Sequence, residues 1–496
     1  VYTVYKNGDD IVSEISVKIG FVPSYRKYGP VPEWVKQMRK SALDAFSKVD
    51  ALDLVVPQPS PDEVELNPVK GYTPAGCVGD LEEAEIVAEY FMREKVDAVI
   101  LAAMNFGDER SSVKIAEKLN VPVLLYATKE PPADEGPSLA RISDSYCGTL
   151  SIAAGLHRRQ LPFHYAGIFF HEEKEFLDAV NLFVRAIAVT SGLKNAQIGQ
   201  VGVRPSTFET VGFDEIAMAR KFQQNVIFTE VSDIVMAAKQ FADDDPVILE
   251  IFDSIKGEVA EVTVADDWIL KAAKLETAFS KFWTDNKLSA MSIQCWPSIM
   301  YLYGVSTCAL FGRLTGKGML TACETDTMGA LAMLVNYYAS LGKTLPHFVD
   351  WTIQHRENPN MLLAWHCGNA PVCLAKDPKQ TALRSRMDMK GENPPKSSDY
   401  FSALYQFQLK SGDVTFCRLA EFDGNWKMLI APGKAVPSDD VLAGTWSWVE
   451  VNDHQKLYRT LVENGFIHHA SMIHGDQTEV LALACKLLDI EPVIVR

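Results

Sequence analysis

Apolar positions recur with two different periods along the chain, and the change of period marks its architecture. The run Ser-Val-Lys-Ile-Gly-Phe-Val over 16–22 reads as a strand that opens into a turn at Pro23. Val35, Met38, Leu43 and Phe46 then share roughly one face of a helical pattern over 31–49. The pattern goes on to predict a strand over 52–56, a helix over 81–94, nearly all-apolar strands over 98–103 and 121–126, and a helix over 111–119. After the segment 141–148 a helix and a strand over 165–170 complete the series. Continuous apolar strands alternating with helices imply a parallel sheet covered on both faces.

Past residue 170 the alternation restarts. It predicts helices over 173–188, 214–222, 234–241 and 262–284, and strands over 197–203, 226–228 and 290–295. A helix over 325–341 follows. Beyond Pro346 the period shortens. Strands over 401–409, 413–421, 427–431 and 444–451 are separated by turn signals such as Ser411-Gly412-Asp413 and Asp423-Gly424-Asn425. A helix over 455–463 closes at Gly465, and a helix over 477–488 and a strand over 492–495 end the chain. The expected fold is α/β: two doubly wound parallel-sheet (Rossmann-like) domains, 1–170 and 171–345, and a C-terminal β-rich, antiparallel barrel-like domain, 346–496.

Composition narrows the function classes. Apolar residues are 47% and charged residues 23%, ordinary for a globular chain of 496 residues. The net charge of −16 with no local basic patch argues against nucleic-acid and anionic-membrane partners. Nine cysteines are scattered without a C-x-x-C pair; Cys295, Cys308, Cys323 and Cys367 lie in apolar runs and read as small buried thiols in a reducing compartment. The first residues, Val1 to Lys6, do not resemble a secretory signal, and the chain is expected in the cytoplasm. The uncharged stretch 288–312 is long enough to cross a bilayer, but Gln294, Pro297 and Gly304 make it read as buried strand and helix pieces. The first strand is followed by Pro23-Ser24-Tyr25-Arg26-Lys27-Tyr28-Gly29, not G-x-G-x-x-G, and no P-loop is present, so no nucleotide cofactor is expected.

Four groups stand at the ends of apolar runs: Glu324, Asp350, His366 and His469. Each has a plainer reading. Glu324 and Asp326 suit a helix N-terminus, which favours acids. Asp350 reads as an edge-strand carboxylate, although burial beside Val349 and Trp351 demands a partner or a cation. Single histidines closing strands are commonly core residues. Together the four offer two carboxylates and two imidazoles to one divalent ion, with no spacing that is itself a metal motif.

The order Ala322-Cys323-Glu324-Thr325-Asp326, Asp350-Trp351, Trp365-His366-Cys367-Gly368-Asn369 and His468-His469 resembles the L-fucose isomerase and L-arabinose isomerase superfamily. The resemblance covers nearly the whole chain and is firmest from Gln294 onward. It implies that Glu324, Asp350, His366 and His469 gather around Mn²⁺, with Co²⁺ or Mg²⁺ as substitutes. Aspartate at 350 is closer to the fucose branch; chain length and a four-ligand set are closer to the arabinose branch. Ser24-Tyr25-Arg26 replaces a glutamine of the arabinose branch, and Asp144-Ser145 a histidine, so the chain is identified as a divergent member with its own substrate. Arg26 and Lys27 at a strand's carboxyl end suit an anionic substituent as well as a solvated turn.

The implied reaction is aldose–ketose isomerisation of a monosaccharide or modified monosaccharide through an enediol(ate). Glu324 and Asp350 are the expected proton carriers. Trp296 and Trp365 are expected to wall the sugar, and Arg26, Asn369 and Arg356 to contact it. A homo-oligomer, often a hexamer, is implied. Two other readings stay open: a non-catalytic sugar-binding protein, and a metal-dependent epimerase or lyase.

Overall fold

The computed structural model describes residues 15–62, 65–131, 142–385 and 404–496. They form two compact units, 14–191 and 192–496. The first is built on a five-stranded sheet, ordered Leu52–Val55, Val17–Ser24, Ala98–Ala103, Val123–Thr128, Phe163–Phe169, with every pairing parallel. Val99, Leu101, Val123 and Leu125 pack against Val87, Phe91, Ile115 and Ile152 of the covering helices. The helix Leu81–Glu94 begins where Asp80 accepts the Glu83 N–H, one of the donors a helix start leaves unpaired.

The units divide at Ser191 and Gly192, not near 170. The reason is the helix Lys174–Leu193, whose Phe176 lies in the first unit's aromatic core, with ring centroids 5.0 Å from Tyr126 and 5.6 Å from Phe46. By length and hydropathy this helix also passes as a membrane span, and 56% of its most apolar window is buried in the fold. The stretch 288–312 breaks into the strand Ala290–Ile293, a tight turn and the helices Met300–Tyr303 and Cys308–Gly316.

The second unit has two layers. A four-stranded parallel sheet runs Thr321–Cys323, Ala290–Ile293, Gln197–Val201, Asn225–Thr229. The helix Pro246–Gly257, packed on the helix Asp266–Asn286, was not anticipated, although Asp245 caps it and Pro246 occupies its first position. The helix Thr327–Ala339 is buried on almost every side, between this sheet and the strands Gly412–Phe422 and His469–His474. Its all-round apolar sequence suits that place.

Six further strands close into a barrel. Thr445–Glu450, Met361–His366, His347–Gln354, His469–His474, Gly412–Phe422 and Asn425–Val436 pair in that order, and Lys434 to Val436 pair back onto Trp448 to Glu450. Closure removes exposed edges. The described part of the expected 401–409 strand, Leu404–Gln408, pairs outside this ring, and 401–403 lie outside the described residues. His469 opens a strand that the chain's pattern did not reveal, and that strand places it beside Asp350.

Candidate metal centre

Glu324 stands between the strand Thr321–Cys323 and the helix Thr327–Ala339. It has φ 59° and Thr325 has φ 56°, two successive side-chain-bearing residues in the left-handed region. Each such residue costs of order 1–3 kcal/mol, and such strain concentrates at functional turns. The turn is held by Asp326, whose Oδ1 accepts the Gly329 N–H at 2.9 Å. The helix-capping reading of Asp326 is therefore right, but incomplete. Trp296 Nε1–H donates to Glu324 Oε1 at 2.8 Å, leaving Oε2 toward the centre.

Asp350 is not on an edge. Its strand lies between Met361–His366 and His469–His474, and Asp350 is the Cα partner of Trp365 on one side and His469 on the other. The ladder slips between Trp351 and Ile353, a bulge of the kind that re-aims side chains. His469 Nε2 lies 2.9 Å from Glu324 Oε2 and 3.6 Å from Asp350 Oδ1, and His366 Nε2 lies 4.0 Å from Asp350 Oδ1. The four groups expected to act together do converge.

Behind His469 is a second ring of charge. Its Nδ1–H donates to Asp326 Oδ2 at 2.8 Å, and Asp326 takes both Nη atoms of Arg418, Nη2 to Oδ1 at 3.0 Å. Arg418, Asp326 and His469 are all buried. Burial opposes charge on Asp326, but Arg418 and His469 outweigh it and hold its carboxyl far below the usual range. Burial likewise opposes charge on Glu324, yet His469, His366 and Trp296 keep it at about 2. Burial disfavours the His469 imidazolium, but Asp326, Glu324 and Asp350 push it up to about 9.

The residues fit a divalent cation. Asp350 Oδ1, His366 Nε2 and His469 Nε2 are buried atoms without a hydrogen-bond partner, aimed into one space. Such orphaned groups are costly unless something occupies the space between them. Ligand atoms of Glu324, His366 and His469, and of Asp350, His468 and His469, lie within 4.8 Å of one another in each group. The imidazoles differ in kind. His469 gives its Nδ1 proton to Asp326, so its neutral form turns a lone pair inward. The Cys367 N–H donates to His366 Nδ1 at 2.9 Å, so neutral His366 keeps its proton on Nε2 and faces the centre as a donor.

The expected substrate contacts fare unevenly. Trp296 borders the centre and orients Glu324. Trp365 lies nearly parallel to the His366 ring, 15° apart, with its N–H given to Ala443 O. Asn369, expected to contact the sugar, is 4% exposed, with its Oδ1 3.2 Å from His347 Nε2 and its Nδ2–H donating to Cys323 Sγ at 3.5 Å. Arg356 is exposed in the turn after the Asp350 strand. Arg26 belongs to the first unit, at the carboxyl end of Val17–Ser24, with its guanidinium 3.4 Å over the Phe106 ring. Lys27 is bound by Asp80 and Glu83, which removes it as a free cation.

Sequence reasoning missed Arg418 and Phe208. Phe208 stands edge-on to Trp296 and His468, at 5.5 and 5.4 Å, and 6.1 Å from His469. No local pattern marks either residue; only the apolar character of Phe208 hints at cover.

Two family models match: "Fucose/sulfoquinovose isomerase, N-terminal domain" over residues 60–194 and "L-fucose isomerase, C-terminal domain" over 364–495. A sulfoquinovose isomerase of Alkalicoccus urumqiensis is 25% identical over 402 residues, covering 80% of this chain and 86% of the relative. One from Priestia aryabhattai is 24% identical over 421 residues, 84% and 90% of the two chains. One from Clostridium sp. (strain MSTE9) is 25% identical over 398 residues, 78% and 84%. A periplasmic solute binding protein of Actinobacillus succinogenes 130z with bound D-allose aligns over 66% of this chain and 92% of its own, with 12% identity and a TM-score of 0.17, too low to carry an argument.

Proposed function

Since the chain belongs to the fucose isomerase-like superfamily, we propose that it is an aldose–ketose isomerase whose substrate is a sulfonated aldose, sulfoquinovose, and whose centre holds one divalent cation, Mn²⁺ first among candidates. The observation that carries this reading is the convergence of Glu324, Asp350, His366 and His469 with three buried, unpartnered atoms facing one another. A non-catalytic sugar-binding protein has no use for that arrangement.

Glu324, Asp350 and His469 would hold the cation, and His366, expected as a fourth ligand, would face it as an N–H donor because its Nδ1 accepts the Cys367 N–H; the mixed oxygen and nitrogen set suits Mn²⁺, with Co²⁺ or Mg²⁺ as substitutes. When bound, the cation supplies positive charge that polarises the substrate carbonyl and stabilises the enediolate. The chain's own groups do the rest. Isomerisation takes a proton from the carbon beside a carbonyl and returns one to the neighbouring carbon. Glu324 Oε2, 2.9 Å from His469 Nε2, and Asp350 Oδ1, which has no hydrogen-bond partner, are the carboxylate oxygens turned to the centre, and they hold and move those protons. The His366 Nε2–H donates to substrate oxygen where negative charge develops. Phe208 and the faces of Trp296 and Trp365 keep bulk water from the reacting carbons.

The substrate's sulfonate needs a cation of its own. Arg26 suits it: its guanidinium is a planar fork of donors that lies over the Phe106 ring and donates to the Tyr28 hydroxyl. The protein works as a homo-oligomer in the cytoplasm, and its second unit divides near residue 345 into an α/β and a barrel domain. Its nine cysteines, all free thiols, support a reducing compartment.

The test is to strip the protein with EDTA, restore Mn²⁺, Co²⁺ or Mg²⁺, and assay ketose formation from sulfoquinovose, L-fucose and L-arabinose. Metal-dependent ketose from sulfoquinovose in preference to the uncharged sugars is the expected result. Turnover of the uncharged sugars alone refutes the sulfonate reading, and ketose formation unaffected by EDTA refutes the metal.

A further inference from the structure

The barrel strand Gly412–Phe422 contributes one charged side chain to the interior behind the centre, Arg418, 92 residues from the acid it binds. Its two Nη atoms take both oxygens of Asp326. The same carboxylate accepts the Gly329 N–H at 2.9 Å and the His469 Nδ1–H at 2.8 Å. Arg418 is 3% exposed, and Asp326 and His469 are 0% exposed. Every oxygen of Asp326 thus has two donors, and its plane is fixed by the guanidinium fork and the helix start together.

We propose that Arg418 is a positioning residue for the metal centre: through Asp326 it sets the ring orientation of His469, so that Nε2 is held toward Glu324 and Asp350. The inference rests on the metal reading given above. The geometry carries it in three steps. His469 reaches the centre with one nitrogen, and the other is its Asp326 bond. Asp326 sits on the turn that also bears Glu324, so its orientation is shared by two of the groups that would hold the cation. Arg418 comes from the barrel, so it ties that turn to the wall from which Asp350 and His469 project. A lysine at this position keeps the charge but offers a single point in place of the fork, and it cannot hold both oxygens in one plane.

The test is Mn²⁺ affinity, read by electron paramagnetic resonance of the free ion, in the wild-type chain, Arg418→Lys, Asp326→Asn and the double variant, with the melting temperature of each metal-free protein measured alongside. The expected result is an affinity about 10–100-fold weaker in each single variant. The double variant should lose little more than either single one, because both act through one carboxylate. Folded Arg418→Lys that binds Mn²⁺ within about twofold of wild type overturns the proposal. So do losses that simply multiply in the double variant. Should Arg418→Lys fail to fold, Asp326→Asn alone carries the readout, and wild-type affinity in it also overturns the proposal. Failure of the wild-type chain to bind Mn²⁺ refutes the metal reading instead, so the two failures are told apart.

Discussion

Asp350 and His469 are Cα partners on neighbouring antiparallel strands, yet Asp350 Oδ1 and His469 Nε2 stand 3.6 Å apart and neither has a hydrogen-bond partner. Strand register brings them together and the geometry withholds the bond, as suits two groups that share a third body. Substitution at His469 should therefore abolish divalent-ion binding, whereas His366→Ala should lower kcat by about 10²-fold or more while leaving Mn²⁺ affinity within a few-fold, because His366 faces the centre as a donor. Isothermal titration of both variants checks this. Equal loss of affinity in the two would make His366 a ligand.

Metal binding should be strongly pH dependent. Without a cation His469 holds its proton up to about pH 9, since Asp326 and Glu324 outweigh its burial. Its folded value is raised, so the stability that this proton gives the metal-free protein is fully present below about pH 6.5 and is lost as pH rises through about 9. A cation must displace the proton, so apparent Mn²⁺ affinity should rise about tenfold per pH unit between about 6 and 9. The increase in melting temperature on adding Mn²⁺ should grow with pH over the same interval. Scanning calorimetry at three pH values decides it.

A second buried charge group is structural. Glu276 is fully buried, accepts Arg313 Nε at 2.7 Å and Lys317 Nζ at 2.6 Å, and joins the helix Asp266–Asn286 to Cys308–Gly316. Burial opposes its charge, but Arg313 and Lys317 prevail and its carboxyl is held below the usual range. Its contribution is therefore present above the unfolded value near 4.5 and is lost as pH falls below it. Glu276→Gln should destabilise the chain by about 3–5 kcal/mol at pH 7, because Arg313 is left buried without its main partner. The variant's stability should also fall less steeply below about pH 5. Denaturant titrations at pH 7 and pH 4 measure both.

Asn369→Ala separates support from recognition. With its amide on His347 and Cys323, its loss should cost about 1–3 kcal/mol of stability and leave KM for the sugar unchanged within about twofold. His347 is itself kept neutral, pushed down to about 3 by burial and by His366, so it needs that partner as a hydrogen-bonding group and not as a charge. A raised KM with unchanged stability would return Asn369 to the substrate.

Much of the fold was legible because local period suffices for it. The all-apolar strands Ala98–Ala103 and Val123–Thr128 and the capped helix Leu81–Glu94 each follow from a few neighbouring residues. The order of Glu324, Asp350, His366 and His469 was legible too, though only as a set. What escaped depends on pairing between distant segments. A barrel was expected, but which strands close it, Asn425–Val436 onto Thr445–Glu450, is a matter of curvature and not of alternation. Arg418 reads as one polar position in an apolar strand until Asp326 is placed opposite it. Asn369 follows a histidine in a polar turn, where a ligand-reading amide and a supporting one look alike. Helix Pro246–Gly257 was hidden by the acidic run 243–245, which reads as a loop although Asp245 is its cap.

The most direct measurement follows hydrogen at the substrate carbon beside the carbonyl. EDTA-stripped and Mn²⁺-restored protein is incubated with sulfoquinovose in D₂O, with Glu324→Gln and Asp350→Asn run alongside, and proton NMR reads deuterium uptake and ketose. The account predicts Mn²⁺-dependent ketose formation with deuterium entering that carbon, reduced by about 10²–10⁴-fold in either variant. Near-normal turnover by either variant with the metal present, or exchange that never yields ketose, would contradict it.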